Sequence, residues 1–98
     1  MTRQDIIEYL KQKKHFFQEK YYIKQIGLFG SFAANEQIES SDIDLVYELI
    51  EGKSLSYYQF IELEELLSDH FNRKIELVNY KYMNPIIKFK TKYKILYV

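Results

Sequence analysis

The sequence predicts an α/β domain in which a small mixed β-sheet is backed by helices. Segments with helical spacing of apolar residues alternate with short runs rich in β-branched and aromatic residues, an order typical of helix-covered sheets. The chain has 98 residues, 47% hydrophobic and 29% charged, with one proline. These values indicate a single domain over residues 1–98, whose active site would be shallow or completed by a partner. The lack of cysteine excludes disulfides, thiolate metal sites and cysteine nucleophiles.

The first third of the chain predicts a helix, a strand and a sharp turn. Thr2 and Asp5 have the spacing of a capping box, and a helix over about 3–20 follows. Its apolar residues recur at roughly helical spacing: Ile6, Ile7, Leu10, Phe17 and Tyr21. The run from Tyr22 to Phe29 predicts a strand that stops at Gly30. After Ser31, residues 32–34 predict a single helical turn, which Asn35 ends in the left-handed conformation.

The middle of the chain predicts a half-buried strand and a long helix. Residues 42–49 alternate, so that Asp42, Asp44, Val46 and Glu48 share one face of the strand. Either Ser54 or Ser56 can cap the helix that follows. Its apolar stripe consists of Tyr57, Phe60, Ile61, Leu63, Leu66, Leu67 and Phe71. The exposed aromatic end of this stripe is a candidate contact surface, and residues 74–78 predict a third strand.

The C-terminal segment carries two conflicting patterns. Asn84 and Pro85 favour the beginning of a helix, because proline is tolerated at the first helical position. Residues 88–95 alternate between lysine and other residues, which is typical of an exposed strand. We expect a short helix over about 85–91 and an extended end over 95–98.

The net charge is zero, with 14 basic and 14 acidic residues, but the charges are unevenly distributed. Residues 1–35 sum to +3, residues 36–69 to −9 and residues 70–98 to +6. The acidic middle suits cation binding and the basic end suits phosphates or an acidic partner, although solvated faces of opposite charge would give the same pattern. Zero net charge predicts no strong nucleic-acid binding. Without a signal-peptide pattern or an apolar run of membrane length, we expect a cytoplasmic protein without membrane contact.

The residues with the clearest chemical meaning are Gly30, Ser31, Asp42 and Asp44, within the string GSFAANEQIESSDIDL. Two carboxylates at positions i and i+2 of a strand point the same way and can share a hard cation, and Glu76 on a neighbouring strand could complete the site. A glycine lets the backbone turn sharply and approach a phosphate. Ser31 at the start of a helical turn offers a hydroxyl and adjacent N–H groups to phosphate oxygens.

This string resembles the signature of the DNA polymerase β-like nucleotidyltransferase superfamily, in particular the minimal nucleotidyltransferases (MNT proteins). The similarity extends from about residue 23 to the end, including the strand that carries Glu76 and the residues Asn84–Pro85. It implies the nucleotidyltransferase fold, with Asp42, Asp44 and Glu76 as catalytic ligands of two Mg²⁺ ions and with Gly30 and Ser31 binding nucleotide phosphates.

The resemblance also implies an activity and a partner. MNT proteins transfer a nucleoside monophosphate, usually AMP from ATP, to a hydroxyl group. The acceptor is commonly a tyrosine of a HEPN-type toxin, so that the MNT protein acts as the antitoxin. At this chain length the resemblance implies acceptor recognition by protein docking, in a homo- or hetero-oligomer.

Two departures from the family pattern leave other functions open. Ala34 stands where the family has arginine, and Glu76 where it usually has aspartate. Losing a guanidinium removes charge-assisted hydrogen bonds of about 1.5–3 kcal/mol, which Lys24, Lys88 or Lys90 could replace. One alternative is a catalytically weak nucleotide-binding module that neutralises its partner by occlusion. The other is a small-molecule nucleotidyltransferase of the aminoglycoside-modifying kind.

Overall fold

The computed structural model describes residues 1–91 and 94–98, which form a four-stranded sheet with helices on both sides. The helices are α1 (Arg3–Tyr21), α2 (Gly30–Ala33), α3 (Tyr57–Phe71) and α4 (Pro85–Thr91), with a 3₁₀ turn at Tyr80–Tyr82. The strands are β1 (Ile23–Phe29), β2 (Ile43–Leu49), β3 (Ile75–Asn79) and β4 (Leu96–Tyr97). Lys92 and Tyr93, which belong to the lysine alternation, lie outside the described residues.

The sheet is mixed, as the sequence predicts, with the strand order β3-β2-β1-β4. Strand β1 is antiparallel to both β2 and β4, whereas β2 and β3 are parallel and are connected through α3. A parallel pair needs such a crossover, because the chain must return to the end of the sheet at which the first strand began. As a result, β2 and β3 both begin at the end of the sheet where β1 stops.

Helices α1 and α3 cover one face of the sheet, and each begins with a capping box. In α1 the Thr2 hydroxyl accepts a hydrogen bond from the Asp5 N–H at 3.2 Å, and the Asp5 carboxylate accepts one from the Thr2 N–H at 2.8 Å. Ser56 and Gln59 make the same exchange in α3, so that Ser56 rather than Ser54 is the cap. Each cap of this kind stabilises a helix by about 1 kcal/mol.

The main core lies between these two helices and the sheet. Its fully buried members come from the first three helices and from β1 and β2: Ile6, Leu10, Phe17, Tyr21, Ile26, Leu28, Phe32, Ile43, Leu45, Leu63 and Leu67. Burying a side chain of this size stabilises the fold by about 1.5–3 kcal/mol. Because alternate residues of β2 point into this core, Asp44 and Glu48 point to the other face, as predicted.

The second face of the sheet has a smaller apolar cluster formed by Phe29, Val46 and Met83. Ile95 packs against this cluster. Because Met83 precedes α4 and Ile95 follows it, the chain contacts the sheet face that carries Asp44 both before and after this helix. Strand β4 reaches β1 at Gly27, where a Cβ would lie 2.6 Å from Ile95 Cγ2 and 2.9 Å from Tyr97 Cδ1. The predicted helix over 85–91 and the extended end are both confirmed.

Three sequence expectations need correction. Tyr22 is not part of the strand, because it adopts a left-handed conformation (φ 59°) that ends α1 while its N–H bonds Gln18 O. Strand β3 extends over Ile75–Asn79, one residue later than expected. The apolar stripe of α3 is narrower than predicted, because Tyr57 is 74% exposed and lies beyond the edge of the core. Among residues 1–91 and 94–98, no helix combines the length and apolar character needed to cross a bilayer.

Candidate active site

The bend between β1 and α2 is built on Gly30. Its φ of 73° lies in the left-handed region, where a side chain is strained by about 1–2 kcal/mol. A Cβ at this position would lie 2.8 Å from Cγ and 3.1 Å from Cβ of Asp44, and would overlap its Oδ2. Position 30 therefore accommodates only glycine, and the bend lies directly against the Asp44 carboxyl group.

Asp44 and Glu76 are neighbours across the parallel strands β2 and β3. They are register partners, and their carboxyl groups are joined by a hydrogen bond. Partial burial, followed by the hydrogen bond and the negative charge of Glu76 and by the charge of Asp42, raises the pKa of Asp44 to about 7. The raised pKa favours the protonated form of the Asp44 carboxyl, which lies beside Glu76 at the bend.

Asp42 lies just before β2 and acts on Asp44 through its charge. Two residues along an extended chain place their side chains about 6–7 Å apart, which is too far for one hydrogen bond. In the part of the chain that the structure describes, no group of three or more His, Asp or Glu side chains is close enough to hold a metal ion. Gly30 lies against the Asp44 carboxyl and Asp44 lies beside Glu76, while Asp42 acts on Asp44 through its negative charge.

The donor set nevertheless suits a hard divalent cation. Asp44 and Glu76 offer only carboxylate oxygens, which are the ligands that Mg²⁺ prefers. Glu76 is exposed and Asp44 is partly accessible, so both can be reached from solvent. A glycine at the bend leaves the Asp44 carboxyl uncovered by any Cβ. Asp44 and Glu76 are the residues that would hold such an ion.

Ser31 is the second residue of α2 and is partly buried at the bend. Its carbonyl accepts a hydrogen bond from the Glu36 N–H at 2.9 Å, which closes the loop behind α2. Asn35 has a φ of 59°, which confirms the left-handed conformation predicted at the end of this turn. Ala34 is exposed at the end of α2.

Two arginines that the sequence does not single out hold the loops around this site. Arg73 Nη1 donates hydrogen bonds to the carbonyls of Glu39 and Ser41, both at 2.8 Å, and its guanidinium lies 5.3 Å from the Phe32 ring centre. It thereby fixes the loop that leads into Asp42. Arg3 Nη1 donates to Ala33 O at 3.0 Å, which places a guanidinium at the end of α2. No local sequence pattern predicts either contact, because each joins residues about thirty positions apart in the chain.

The predicted site residues lie apart from the cavity found at the other end of β2. A cavity of about 710 Å³ surrounds the connection between β2 and α3, and none of the predicted site residues lines it. Lys24 lines that cavity, at the other end of β2 from Asp44, which argues against Lys24 as a replacement for the arginine missing at position 34. The Lys88 ammonium lies 4.2 Å above the Tyr80 ring.

Comparison with known proteins identifies the family. Residues 4–97 match the family described as polymerase beta nucleotidyltransferases. A Methanocaldococcus jannaschii protein named as a protein adenylyltransferase, MJ0128, is 41% identical over 98 residues, covering 99% of this chain and 98% of the relative. The protein adenylyltransferase MntA of Thermococcus cleftensis is 35% identical over 78 residues, covering 80% of this chain and 77% of the relative.

Solved structures share the fold at low sequence identity. A minimal nucleotidyltransferase superposes with a TM-score of 0.78 and 19% identity, covering 98% of this chain and 95% of the other. A toxin–antitoxin structure with AMP-PNP gives a TM-score of 0.69 and 20% identity, covering 97% and 70%. The family match spans nearly all of the sheet and helices described above. This chain therefore belongs to the polymerase beta nucleotidyltransferase family.

Proposed function

We propose that this protein transfers AMP from ATP to a hydroxyl group of a partner protein, and that the partner is a toxin of the HEPN type which the modification neutralises. The contact of Gly30 with the Asp44 carboxyl, itself hydrogen-bonded to Glu76, is the observation that carries this proposal. It combines a backbone bend open to phosphate with carboxylates suited to a cation that neutralises phosphate charge.

Two sets of relatives support the choice of acceptor. Relatives that match along 98% of their length are named protein adenylyltransferases. Structural neighbours include complexes of an MNT antitoxin with its HEPN toxin, one of them with the toxin in a tri-AMPylated form. The exposed Glu76 and the partly accessible Asp44 also leave the carboxylates open to a large acceptor.

The reaction requires three events at the α-phosphorus of ATP. The acceptor hydroxyl oxygen forms a bond to this phosphorus, the bond to the bridging oxygen of pyrophosphate breaks, and the hydroxyl proton passes to an ionised carboxylate or to water. Gly30 and the N–H groups at the start of α2 would orient the phosphates, with the Ser31 hydroxyl beside them. Catalysis of this kind depends on positioning and on charge stabilisation.

A divalent cation completes this chemistry. Asp44 and Glu76 would hold it, and Asp42 would add negative charge nearby. When bound, Mg²⁺ supplies the positive charge that stabilises the α-phosphate oxygens and the departing pyrophosphate. The carboxylates act as ligands in this scheme and not as nucleophiles.

Intact-mass spectrometry tests the proposal. The chain is incubated with the product of the adjacent gene, ATP and Mg²⁺, with AMP-PNP replacing ATP in a parallel reaction. We expect the partner to gain the mass of one or more AMP groups in both reactions, because the α–β phosphate link is unchanged in AMP-PNP. A partner that stays unmodified under these conditions contradicts the proposed transfer.

A second candidate function is neutralisation by occlusion. It is favoured by Ala34, which provides no guanidinium, and by Glu76, which stands where the family usually has aspartate. The same incubation separates the two candidates. A partner that is inhibited but carries no added mass would identify the chain as a binding module.

A further inference from the structure

Helix α4 is exposed along its described length. None of its seven residues is buried. Ile86 is 65% exposed and Phe89 is 74% exposed, and these two positions lie one turn apart on the same helix face. Tyr82 in the preceding 3₁₀ turn is 76% exposed. Contiguous apolar exposure of this kind marks an interaction surface more often than isolated exposed residues do.

The segment that contains α4 is strongly cationic in sequence. Residues 77–98 contain five lysines and no aspartate or glutamate. Among the described residues, the ion pairs are His15–Glu19 and Lys20–Glu62, so no carboxylate neutralises Lys88 or Lys90. A surface that is both apolar and cationic complements an amphipathic segment with acidic side chains.

The position of α4 links this surface to the active site. Met83, just before α4, packs with Phe29 and Val46 in the smaller apolar cluster. Phe29 is the register partner of Asp44, and Val46 lies two residues beyond Asp44 on the same face. A segment bound along α4 would therefore lie beside the carboxylates, with its own acidic groups on the lysines and away from Asp44 and Glu76.

We infer that α4 and Tyr82 form the docking surface for the acceptor, and that they bind an acidic amphipathic helix of that protein which carries or flanks the hydroxyl group to be modified. This inference rests on the proposed function and adds the chemistry of the acceptor to it. The surface binds the acceptor by apolar contact with Ile86 and by ion pairs with Lys88 and Lys90. The nucleotide binds separately, at the Gly30 bend.

Two designed peptides test the inference. Both are amphipathic helices of about twenty residues with leucine at helical spacing and one tyrosine, but one carries glutamate and the other lysine at the polar positions. We expect fluorescence anisotropy to detect binding of the acidic peptide, weakened about tenfold by K88E/K90E and at least fivefold by Ile86→Ser. The control K11E/K14E, on exposed lysines of α1, should bind like the wild-type protein.

Several results would overturn the inference. The inference fails if the protein binds neither peptide or binds both equally. It also fails if K11E/K14E weakens peptide binding as much as K88E/K90E does, or if the protein binds an oligoadenylate RNA more tightly than the acidic peptide. Sedimentation velocity showing a dimer that Ile86→Ser dissociates, without peptide binding, would assign the surface to a second copy of the chain.

Calorimetry with Mg²⁺ and ATP separates this inference from the proposed function. Ile86→Ser should bind ATP as the wild-type protein does. If the acidic peptide binds as expected but the protein binds no ATP and adds no AMP to the peptide, the proposed transfer fails while the docking surface stands.

Discussion

Replacing Gly30 with alanine tests the contact between the bend and the carboxyl pair. The new Cβ would be strained in the left-handed conformation by about 1–2 kcal/mol. It would also overlap the Asp44 carboxyl and force it away from Glu76, which removes a hydrogen bond of about 1 kcal/mol. The expected loss of stability is therefore about 2–3 kcal/mol, enough to lower the urea midpoint by about 1–2 M.

Gly52→Ala provides a matched control. Gly52 has a similar left-handed φ of 83°, but a Cβ there has no atom within 4 Å. Gly52→Ala should lower the free energy of unfolding by the backbone strain alone. This variant should bind ATP with Mg²⁺ as tightly as the wild-type protein does. Gly30→Ala should bind at least tenfold more weakly, because Asp44 has moved.

A double-mutant cycle identifies the source of the extra cost. In an Asp44→Ala background, Gly30→Ala should cost little more than Gly52→Ala, because the overlapping carboxyl group is gone. The reasoning is refuted if Gly30→Ala is no more destabilising than Gly52→Ala in urea denaturation and binds ATP normally in calorimetry.

Three further variants test other parts of the account. Arg73→Met removes two hydrogen bonds to the loop before Asp42, so it should cost about 1–3 kcal/mol in urea denaturation and weaken ATP binding; unchanged binding would show that the loop does not position the site. Ser31→Ala should weaken binding of ATP more than of adenosine, and equal losses would reject a role at the phosphates. Hydrogen bonds from Lys20 and Tyr21 lower the pKa of Glu62 from its ordinary value of 4.5. The ionised carboxylate therefore stabilises the fold fully at a pH above 4.5, and this contribution is lost as the pH falls through the lower pKa of the folded state. Glu62→Gln should therefore be less stable than the wild-type protein at pH 7 and equally stable near pH 3, and a difference that persists in acid would contradict this assignment.

Local signals in the sequence were sufficient for most of the fold. The capping box at Thr2, the proline at position 85 and the alternation along β2 each depend on residues within a few positions of one another. The predicted strand begins one residue too early because Tyr22 adopts a conformation that its residue type rarely takes. That choice is fixed by tertiary packing of the helix and strand on either side.

The candidate site was predictable in its residue types but not in its electrostatics. Alternation places Asp44 on the polar face of β2, and the family resemblance pointed to Glu76. The sequence does not reveal that these two carboxyl groups share a hydrogen bond, because their strands are joined through a whole helix. Nor could it reveal the contacts of Arg73 with the loop at 39–41, since these depend on the completed fold.

The central claim is that the acidic residues beside the Gly30 bend bind ATP through a divalent cation. Its most direct test is calorimetric titration of ATP, with and without Mg²⁺, into the wild-type protein, D42N/D44N and the control Glu48→Gln on the same face of β2. We expect Mg²⁺-dependent binding by the wild-type protein and by Glu48→Gln, and at least a tenfold loss in a folded D42N/D44N. Unchanged Mg²⁺-dependent binding by D42N/D44N would contradict the account.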